Sequence, residues 1–155
     1  MFKKILVGYD GSKSGRAALE HAAVLAREYG AELQADWVRE PLPRHSDLPG
    51  EVEEEAEGAD EYFQTRVREA EEIARQHGIS IRCERLRGHP AKALVKAAND
   101  GRFDLVVVGH SDHSELWGRL LGDTADRIAD HAQCSVLIVK TPSSQTPPSG
   151  PGPAR

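Results

Sequence analysis

Two short apolar runs in the last third of the chain constrain its fold more than any other feature. Residues 105–108 and 136–139 contain only Val, Leu and Ile, and polar residues or glycine flank them. Such runs are typical of strands that are buried on both faces of a parallel sheet. Between them, Gly122-Asp123-Thr124 opens an amphipathic stretch. The sequence therefore predicts a strand, a loop, a helix and a second strand in this region.

The preceding part of the chain repeats the alternation of strand and helix. The predicted elements are strands at 3–10, 31–38 and 79–86, and helices from about Ser14, Asp60 and Pro90. The second and third strands alternate apolar and polar residues, whereas the first is apolar almost throughout. In the fourth helix, predicted over about Asp123–Ala132, the expected buried residues are Ala125, Ile128 and Ala129.

Five strands alternating with four helices define the expected fold class. We predict an α/β fold, a single-domain open doubly wound five-stranded parallel sheet with right-handed crossovers, over residues 1–140. The most apolar strands belong at the centre of the sheet, which gives the strand order 3-2-1-4-5. The winding reverses between strands one and four, and open sheets bind ligands at such a switch point. Asp10 and Gly109 lie where these two strands end.

Two segments are expected to lack regular structure. Residues 39–61 contain several Pro and Gly, and the part from Glu51 to Glu61 holds seven acids and no base. Because like charges at this density repel one another, we expect an acidic flexible loop. Residues 141–155 include five prolines and little that could be buried, so a disordered tail is expected.

Composition argues against several classes of partner. The net charge is -5 and the Lys and Arg residues are scattered, which argues against nucleic acid as a partner. No apolar run approaches the roughly 20 residues that span a membrane, so no membrane partner is expected. The N-terminus leads straight into a predicted strand and has no signal-peptide pattern, which predicts a cytoplasmic protein.

The fifth strand predicts an oligomer. In the order 3-2-1-4-5 this strand lies at the edge of the sheet, where its apolar side chains and unpaired backbone groups would be exposed together. Pairing with the same strand of a second copy across a two-fold axis would bury these side chains and satisfy these backbone groups. We therefore predict a homodimer whose interface is formed by Val136, Leu137, Ile138 and Val139.

Four segments together resemble the universal stress protein family, and the resemblance extends from Ile5 to Lys140. They are Ile-Leu-Val-Gly-Tyr-Asp-Gly-Ser at 5–12, Gly-His-Pro-Ala at 88–91, Asp-Leu-Val-Val-Val-Gly at 104–109 and Cys-Ser-Val-Leu-Ile-Val at 134–139. The resemblance implies an adenine nucleotide alpha hydrolase-like (Rossmann-like) fold that binds adenine nucleotides. It also implies a dimer formed through the last strand.

The resemblance extends to the motif by which members of the family bind nucleotides. That motif is glycine, two residues, glycine, nine residues, glycine, then serine or threonine. Gly109 and Gly122 match its first and third glycines at the right spacing. Asp112 stands at the second glycine and Asp123 at the hydroxyl position, while Thr124 remains as a hydroxyl donor.

The same resemblance places two further residues in a nucleotide site. Asp10 matches an aspartate that lines the site, and Val38 matches a segment that contacts adenine through main-chain atoms. From the residues alone, Asp10 is equally explained as a turn aspartate that bonds the backbone of Ser12.

The two replacements in the motif change its chemistry. Glycines let backbone N–H groups approach phosphates, and a helix N-terminus favours anions. A carboxylate repels each phosphate charge by about 4 kcal/mol at 4 Å and an effective dielectric constant near 20. We therefore expect Asp112 and Asp123 to weaken or abolish ATP binding. Asp112 as a solvated loop residue and Asp123 as a helix N-cap remain alternatives, and so does a Mg²⁺ ion bound together with ATP that would reverse the effect.

No catalytic or metal-binding motif is evident. His110 and His113 lack the spacing of strong zinc motifs, and Cys83 and Cys134 are about fifty residues apart, so no metal is expected. The leading hypothesis is a dimeric stress-response module, regulatory or protective, that is not an enzyme. The alternative is a Mg²⁺-dependent ATP sensor that hydrolyses ATP slowly, and a more remote one is a small nucleotide-dependent transferase or ligase of related fold.

Overall fold

Five strands and four helices alternate along the part of the chain that the structure describes. The structure, a computed structural model, describes residues 1–40, 49–111 and 120–141, with the side chains of 49–55, 111 and 120–123 left out. The elements are β1 (Lys4–Gly8), α1 (Lys13–Tyr29), β2 (Glu32–Arg39), α2 (Pro49–Gln76), β3 (Arg82–Arg87), α3 (Pro90–Asp100), β4 (Leu105–Ser111), α4 (Leu120–His131) and β5 (Ser135–Thr141). None of the described helices is both long and apolar enough to cross a membrane.

All five strands pair in parallel in the order β3-β2-β1-β4-β5. This confirms the predicted fold class and strand order. β1 lies between β2 and β4, so the chain winds outward from β1 in both directions. The switch point therefore lies between the carboxyl ends of β1 and β4, as the apolar strands predict.

The sheet separates two apolar cores. Along β1, Ile5 and Val7 face one core and Leu6 faces the other, and all three side chains are fully buried. The first core is closed by α1 and α2, and the second by α3 and α4. Because each fully buried aliphatic side chain stabilises the fold by roughly 1.5–3 kcal/mol, the central strand anchors both layers.

Local signals place the ends of α1 and α3 as predicted. The hydroxyl of Ser12 accepts a hydrogen bond from the Gly15 backbone N–H at 3.0 Å and so caps α1. Gly30 ends that helix in the left-handed conformation, with φ of 64°. Pro90 is the first residue of α3, where its missing N–H costs nothing.

The prediction of an acidic loop over residues 39–61 is wrong at Arg39, which ends β2, and from Pro49 onward. Helix α2 begins at Pro49 and includes the acidic stretch from Glu51 to Glu61. Glu and Ala are strong helix formers, and this preference outweighs the repulsion between the acids. Residues 41–48 lie outside the described residues, and so does the predicted tail from residue 142 onward.

Helix α4 differs from the prediction at its start and on its buried face. It begins at Leu120, so Asp123 is its fourth residue and cannot be its N-cap. Ala125 and Ile128 are buried as predicted, but Ala129 is exposed. Ala132, just beyond the helix, packs on the core instead. Ala129 lies about 100° from Ile128 around the helix axis, at the edge of this buried face, where solvent reaches it.

Strand β5 forms the predicted edge of the sheet. It pairs with β4 over seven residues, from Ser135 to Thr141. Its apolar residues Val136, Leu137 and Ile138 are half-buried, and Val139 is buried. The homodimer through this strand remains a prediction.

Gly109 lets the end of β4 pack against the first turn of α1. A Cβ atom at this position would lie 2.2 Å from the Ser14 carbonyl oxygen and 3.1 Å from the Gly15 nitrogen. Both neighbours are backbone atoms, which cannot rotate away as a side chain can. The absence of a side chain at Gly109 is therefore a packing requirement, independent of any ligand.

We expect Gly109→Ala to lower the free energy of unfolding by about 2 kcal/mol, because overpacking against backbone forces the helix away from the strand. Urea unfolding followed by circular dichroism measures this change. Gly58→Ala is the control, since Gly58 lies in α2 with nothing within 4 Å of the added Cβ. This control should gain up to about 1 kcal/mol. Equal stability of the two variants would contradict the packing role of Gly109.

Candidate functional site

A crevice of about 310 Å³ opens at the carboxyl ends of β1, β2 and β4. Its walls come from those strands, from the start of α1, from α3 and from α4. Its lining residues include Gly8, Asp10, Ser12, Ser14, Asp36, Val38, Glu40, Leu94, Val108, Gly109, Thr124 and Ala125. A larger hollow of about 530 Å³ lies beside β3. That hollow is an open groove away from the switch point, so the crevice is the better candidate.

The loop after β1 holds Asp10 at the mouth of the crevice. One carboxylate oxygen of Asp10 accepts a hydrogen bond from the Ser12 backbone N–H at 2.9 Å. A Cβ on Gly15 would lie 2.8 Å from the same oxygen. Asp10 therefore matches both interpretations of the sequence: it bonds the backbone of the turn, and it lines the crevice. Its second carboxylate oxygen is the one available to a ligand hydroxyl or amino group.

Helix α2 is fastened to this loop by two tyrosines. The Tyr62 hydroxyl donates to the Asp10 carbonyl oxygen, and the buried Tyr9 hydroxyl donates to Glu69. Burial and the Glu69 carboxylate raise the pKa of Tyr9 well above its usual value, so this hydroxyl stays a donor. Arg66 pairs with Glu69 at 2.7 Å and lies over the Tyr62 ring. No sequence motif indicated the two tyrosine hydrogen bonds, because they join residues 52 and 60 positions apart.

Asp36 is a buried carboxyl group that sequence analysis missed. Its side chain is 1% exposed, although it belongs to the polar face of a strand that alternates apolar and polar residues. One oxygen, Oδ1, accepts a hydrogen bond from the Gln34 amide at 2.9 Å. The other, Oδ2, is buried and has no hydrogen-bond partner among the described residues. The available signal was an acid within a predicted strand, between Ala35 and Trp37.

Burial raises the pKa of Asp36 to about 6, because the charged form loses its hydration. The hydrogen bond from Gln34 opposes this shift, and the negative charge of Glu84 on the neighbouring strand adds to it. At neutral pH the group is mainly ionised and can only accept hydrogen bonds. The wall of the crevice therefore includes a residue whose carboxyl group is buried and only half satisfied by hydrogen bonds among the described residues.

The walls of the crevice are acidic and apolar rather than basic. Three of its lining residues are acidic, namely Asp10, Asp36 and Glu40, while none of its described lining residues is Lys or Arg. Hydroxyl groups line it as well, and so do the apolar side chains of Val38, Leu94, Val108 and Ala125. Such a surface suits a flat, largely apolar molecule that carries N–H or O–H donors and little negative charge.

The predicted site residues are only partly brought together. Asp10, Val38, Gly109 and Thr124 line the crevice. Gly122 and Asp123 lie in the first turns of α4, and their side chains are outside the description. Asp112 lies outside the described residues altogether, as do His113 and the loop that contains them. Across the described residues, no cluster of three or more His, Cys, Asp or Glu side chains could hold a metal ion.

Comparison of the sequence with known proteins gives matches over nearly all of the chain. The sequence model of the universal stress protein family matches residues 1–140. A universal stress protein of Methanocaldococcus jannaschii is 34% identical over 147 residues, which is 94% of this chain and 86% of the relative.

Comparison of the structure gives neighbours of the same fold. A universal stress protein solved in complex with cAMP is 28% identical and superposes with a TM-score of 0.67, covering 89% of this chain and 97% of its own. A universal stress protein family protein of Arabidopsis thaliana, solved with AMP bound, is 16% identical with a TM-score of 0.65. The superposition covers 95% of this chain and 97% of the plant protein, and at this identity it supports the fold alone.

Asp36→Asn should raise the free energy of unfolding at neutral pH. It should also remove the pH dependence of stability that the titration of Asp36 causes. Between about pH 4 and 6 the folded protein holds a proton on Asp36 that the unfolded chain releases. The wild type therefore loses stability as the pH rises through 6. We expect the variant to be more stable by about 2 kcal/mol at pH 7.5, and the difference to narrow toward pH 4. Urea unfolding at pH 4.5 and 7.5 tests this, and a constant difference would contradict it.

Proposed function

The chain belongs to the universal stress protein family, and we propose that it is a regulatory or protective member that binds an adenine mononucleotide in its crevice. In this proposal the protein acts by binding and does not catalyse a metabolic reaction. ATP binding is weakened or lost relative to members that carry the complete glycine motif. A cytoplasmic location and a homodimer remain predictions from the sequence and are part of the proposal.

The single observation that supports this function best is the charge of the crevice. Asp10, Asp36 and Glu40 are among its lining residues, and its described lining residues supply no cation to offset them. A triphosphate brings several negative charges to such a surface, whereas a cyclic monophosphate brings one. Because each close pair of like charges costs about 4 kcal/mol at 4 Å and a dielectric constant near 20, fewer phosphates are favoured.

The size and walls of the crevice agree with a small nucleotide. Its volume of about 310 Å³ is at the lower end of the usual range for ligand sites. Val38, Leu94 and Val108 offer apolar surface to a base, and the carboxylate of Asp10 can accept from ribose hydroxyls. The relative solved with cAMP, at 28% identity, adds support for a cyclic or simple mononucleotide.

A Mg²⁺-dependent ATP sensor is the second candidate function. The carboxylates that repel phosphates would instead hold Mg²⁺ between themselves and a triphosphate. The two acids in the glycine motif, Asp112 and Asp123, are the residues on which this alternative depends. Affinity for ATP with and without Mg²⁺ separates the two candidates, because only the second requires the cation.

We expect calorimetric titration to show that the protein binds AMP or cAMP at least tenfold more tightly than ATP, with or without Mg²⁺. Replacing both Asp112→Gly and Asp123→Ser should raise the affinity for ATP at least tenfold, because two repulsive charges are removed. The control Asp126→Ser removes one charge from an exposed position of α4 and should leave ATP binding unchanged. Sub-micromolar ATP binding by the wild type would contradict the proposal.

The exposed edge of β5 predicts that the protein is a homodimer. The wild type should sediment at twice the 17.0 kDa mass of the chain. Ile138→Lys places a charge on the half-buried apolar part of β5 and should produce monomers, because the symmetric interface would bury two like charges. Ser135→Lys, at the exposed start of the same strand, should remain a dimer. A wild type that sediments as a monomer would contradict the predicted interface.

A further inference from the structure

The open groove of about 530 Å³ beside β3 has the opposite charge to the crevice. Four of its lining residues are cationic, namely Lys4, Arg82, Arg87 and Lys96, whereas two are acidic. This local excess of positive charge occurs in a chain whose net charge is -5. The groove shares none of its described lining residues with the crevice. It is therefore a separate surface, and one that attracts anionic groups.

Most of these cations are available to a partner. Arg82 and Lys96 each form an ion pair with an acid on the same strand or helix, and both pairs are exposed. Exposed pairs of this kind contribute little to stability, so they can exchange partners. The Arg87 side chain is exposed and makes no hydrogen bond or ion pair among the described residues. Only Lys4 is held in place, by the Gly101 carbonyl oxygen at 2.6 Å.

One side of the groove is a free edge of the sheet. β3 is the outermost strand, and within the described part of the chain it pairs with β2 alone. The Gly88 N–H, just after β3, bonds the Arg39 carbonyl oxygen in β2. Successive residues of a strand direct their N–H and C=O groups to opposite sides, so Cys83, Arg85 and Arg87 direct theirs away from β2. An added strand would pair with these groups.

The groove also offers apolar space next to this edge. Leu86 of β3, Ala93 and Ala97 of α3, and Phe103 supply its apolar surface. Ala93 and Ala97 are one turn apart on the helix, and their small side chains leave room along it. Alternate side chains of a strand added to β3 would point into this space. A site with charges alone would suit any anion, whereas apolar space beside a free backbone edge suits a polypeptide.

We propose that the edge of β3 and the adjoining groove bind an extended acidic segment of another protein, which adds to the sheet as a sixth strand. Its backbone pairs with the outward-directed groups of β3. Its small apolar side chains enter the groove, and its carboxylates meet the arginines of β3. This inference goes beyond the proposed function and does not depend on it, because the groove and the crevice have no lining residue in common.

Segments of this chain are poorer candidates for the occupant. Residues 142–155 include five prolines, which have no N–H to donate, and no acid. The acidic stretch Glu51–Glu61 belongs to α2 and is helical rather than extended. A second copy of β3 would bring arginines close to arginines, which repel one another. The apolar edge at β5 therefore suits a second copy, whereas the cationic edge at β3 suits a different partner.

The test measures the fluorescence anisotropy of labelled octapeptides mixed with the full chain. A peptide of alternating Glu and Val should bind at least tenfold more tightly than one of alternating Lys and Val. The Glu-Val peptide with every backbone nitrogen methylated keeps its side chains but has no N–H to donate, so it should bind at least tenfold more weakly. Added salt should weaken the binding of the unmodified peptide, because salt screens exposed charges.

Arg87→Glu is the matched variant, because it reverses the charge of the unpaired arginine on this edge. We expect it to bind the Glu-Val peptide at least tenfold more weakly than the wild type. Arg127→Glu is the control, since it makes the same change at an exposed position of α4 outside the groove. This control should bind the peptide as tightly as the wild type does.

Equal binding of the Glu-Val and Lys-Val peptides, or no binding of either, would overturn the proposal. Undiminished binding of the methylated peptide would do the same, because it would remove the role of the strand edge. Retained affinity in Arg87→Glu, or an equal loss in Arg127→Glu, would contradict the assignment to β3. Tighter binding of a single-stranded oligonucleotide of equal charge would also overturn it, since that result indicates a general polyanion site. None of these results bears on nucleotide binding in the crevice.

Discussion

The crevice exists because the end of β4 touches the first turn of α1 through backbone atoms alone. Gly109 makes this possible, since any side chain there would overlap the Ser14 carbonyl. The contact fixes where β4 separates from β1, and so it fixes the width of the switch point. Gly109, which the family motif associates with phosphate binding, is thus required for the packing of β4 on α1 even without a ligand. Its presence in this chain is therefore explained by the packing of β4 on α1, whatever the ligand.

Most of the fold could be predicted because its signals are local or periodic. Apolar runs identified the central strands, and Gly30 and Pro90 marked helix ends through their backbone chemistry. The failures came where two local effects compete. In α2, repulsion between the acidic side chains opposes helix formation, but their high helix propensity outweighs it and the stretch is helical. At the start of α4 the glycine at position 122 suggested a boundary, but the helix begins two residues earlier.

The candidate site was less predictable, because its decisive contacts join distant segments. Position at a strand end was enough to suggest Asp10 and Gly109, since strand order alone brings those ends together. The burial of Asp36 depends on what covers β2 from the α3 side, which no pattern in the sequence specifies. Strand periodicity assigned that residue to a face but could not say how deeply the face is covered.

The aromatic contacts around Trp37 give the molecule an internal optical probe. Its indole ring lies 5.0 Å from the Tyr62 ring and is stacked 6.2 Å from Phe63, both on α2. Tyr62 in turn holds the backbone at Asp10. Indole emission depends on the polarity of its surroundings, so the fluorescence of Trp37 will follow separation of α2 from the sheet. With the second tryptophan replaced, a spectrum can distinguish local opening beside the crevice from unfolding of the whole domain.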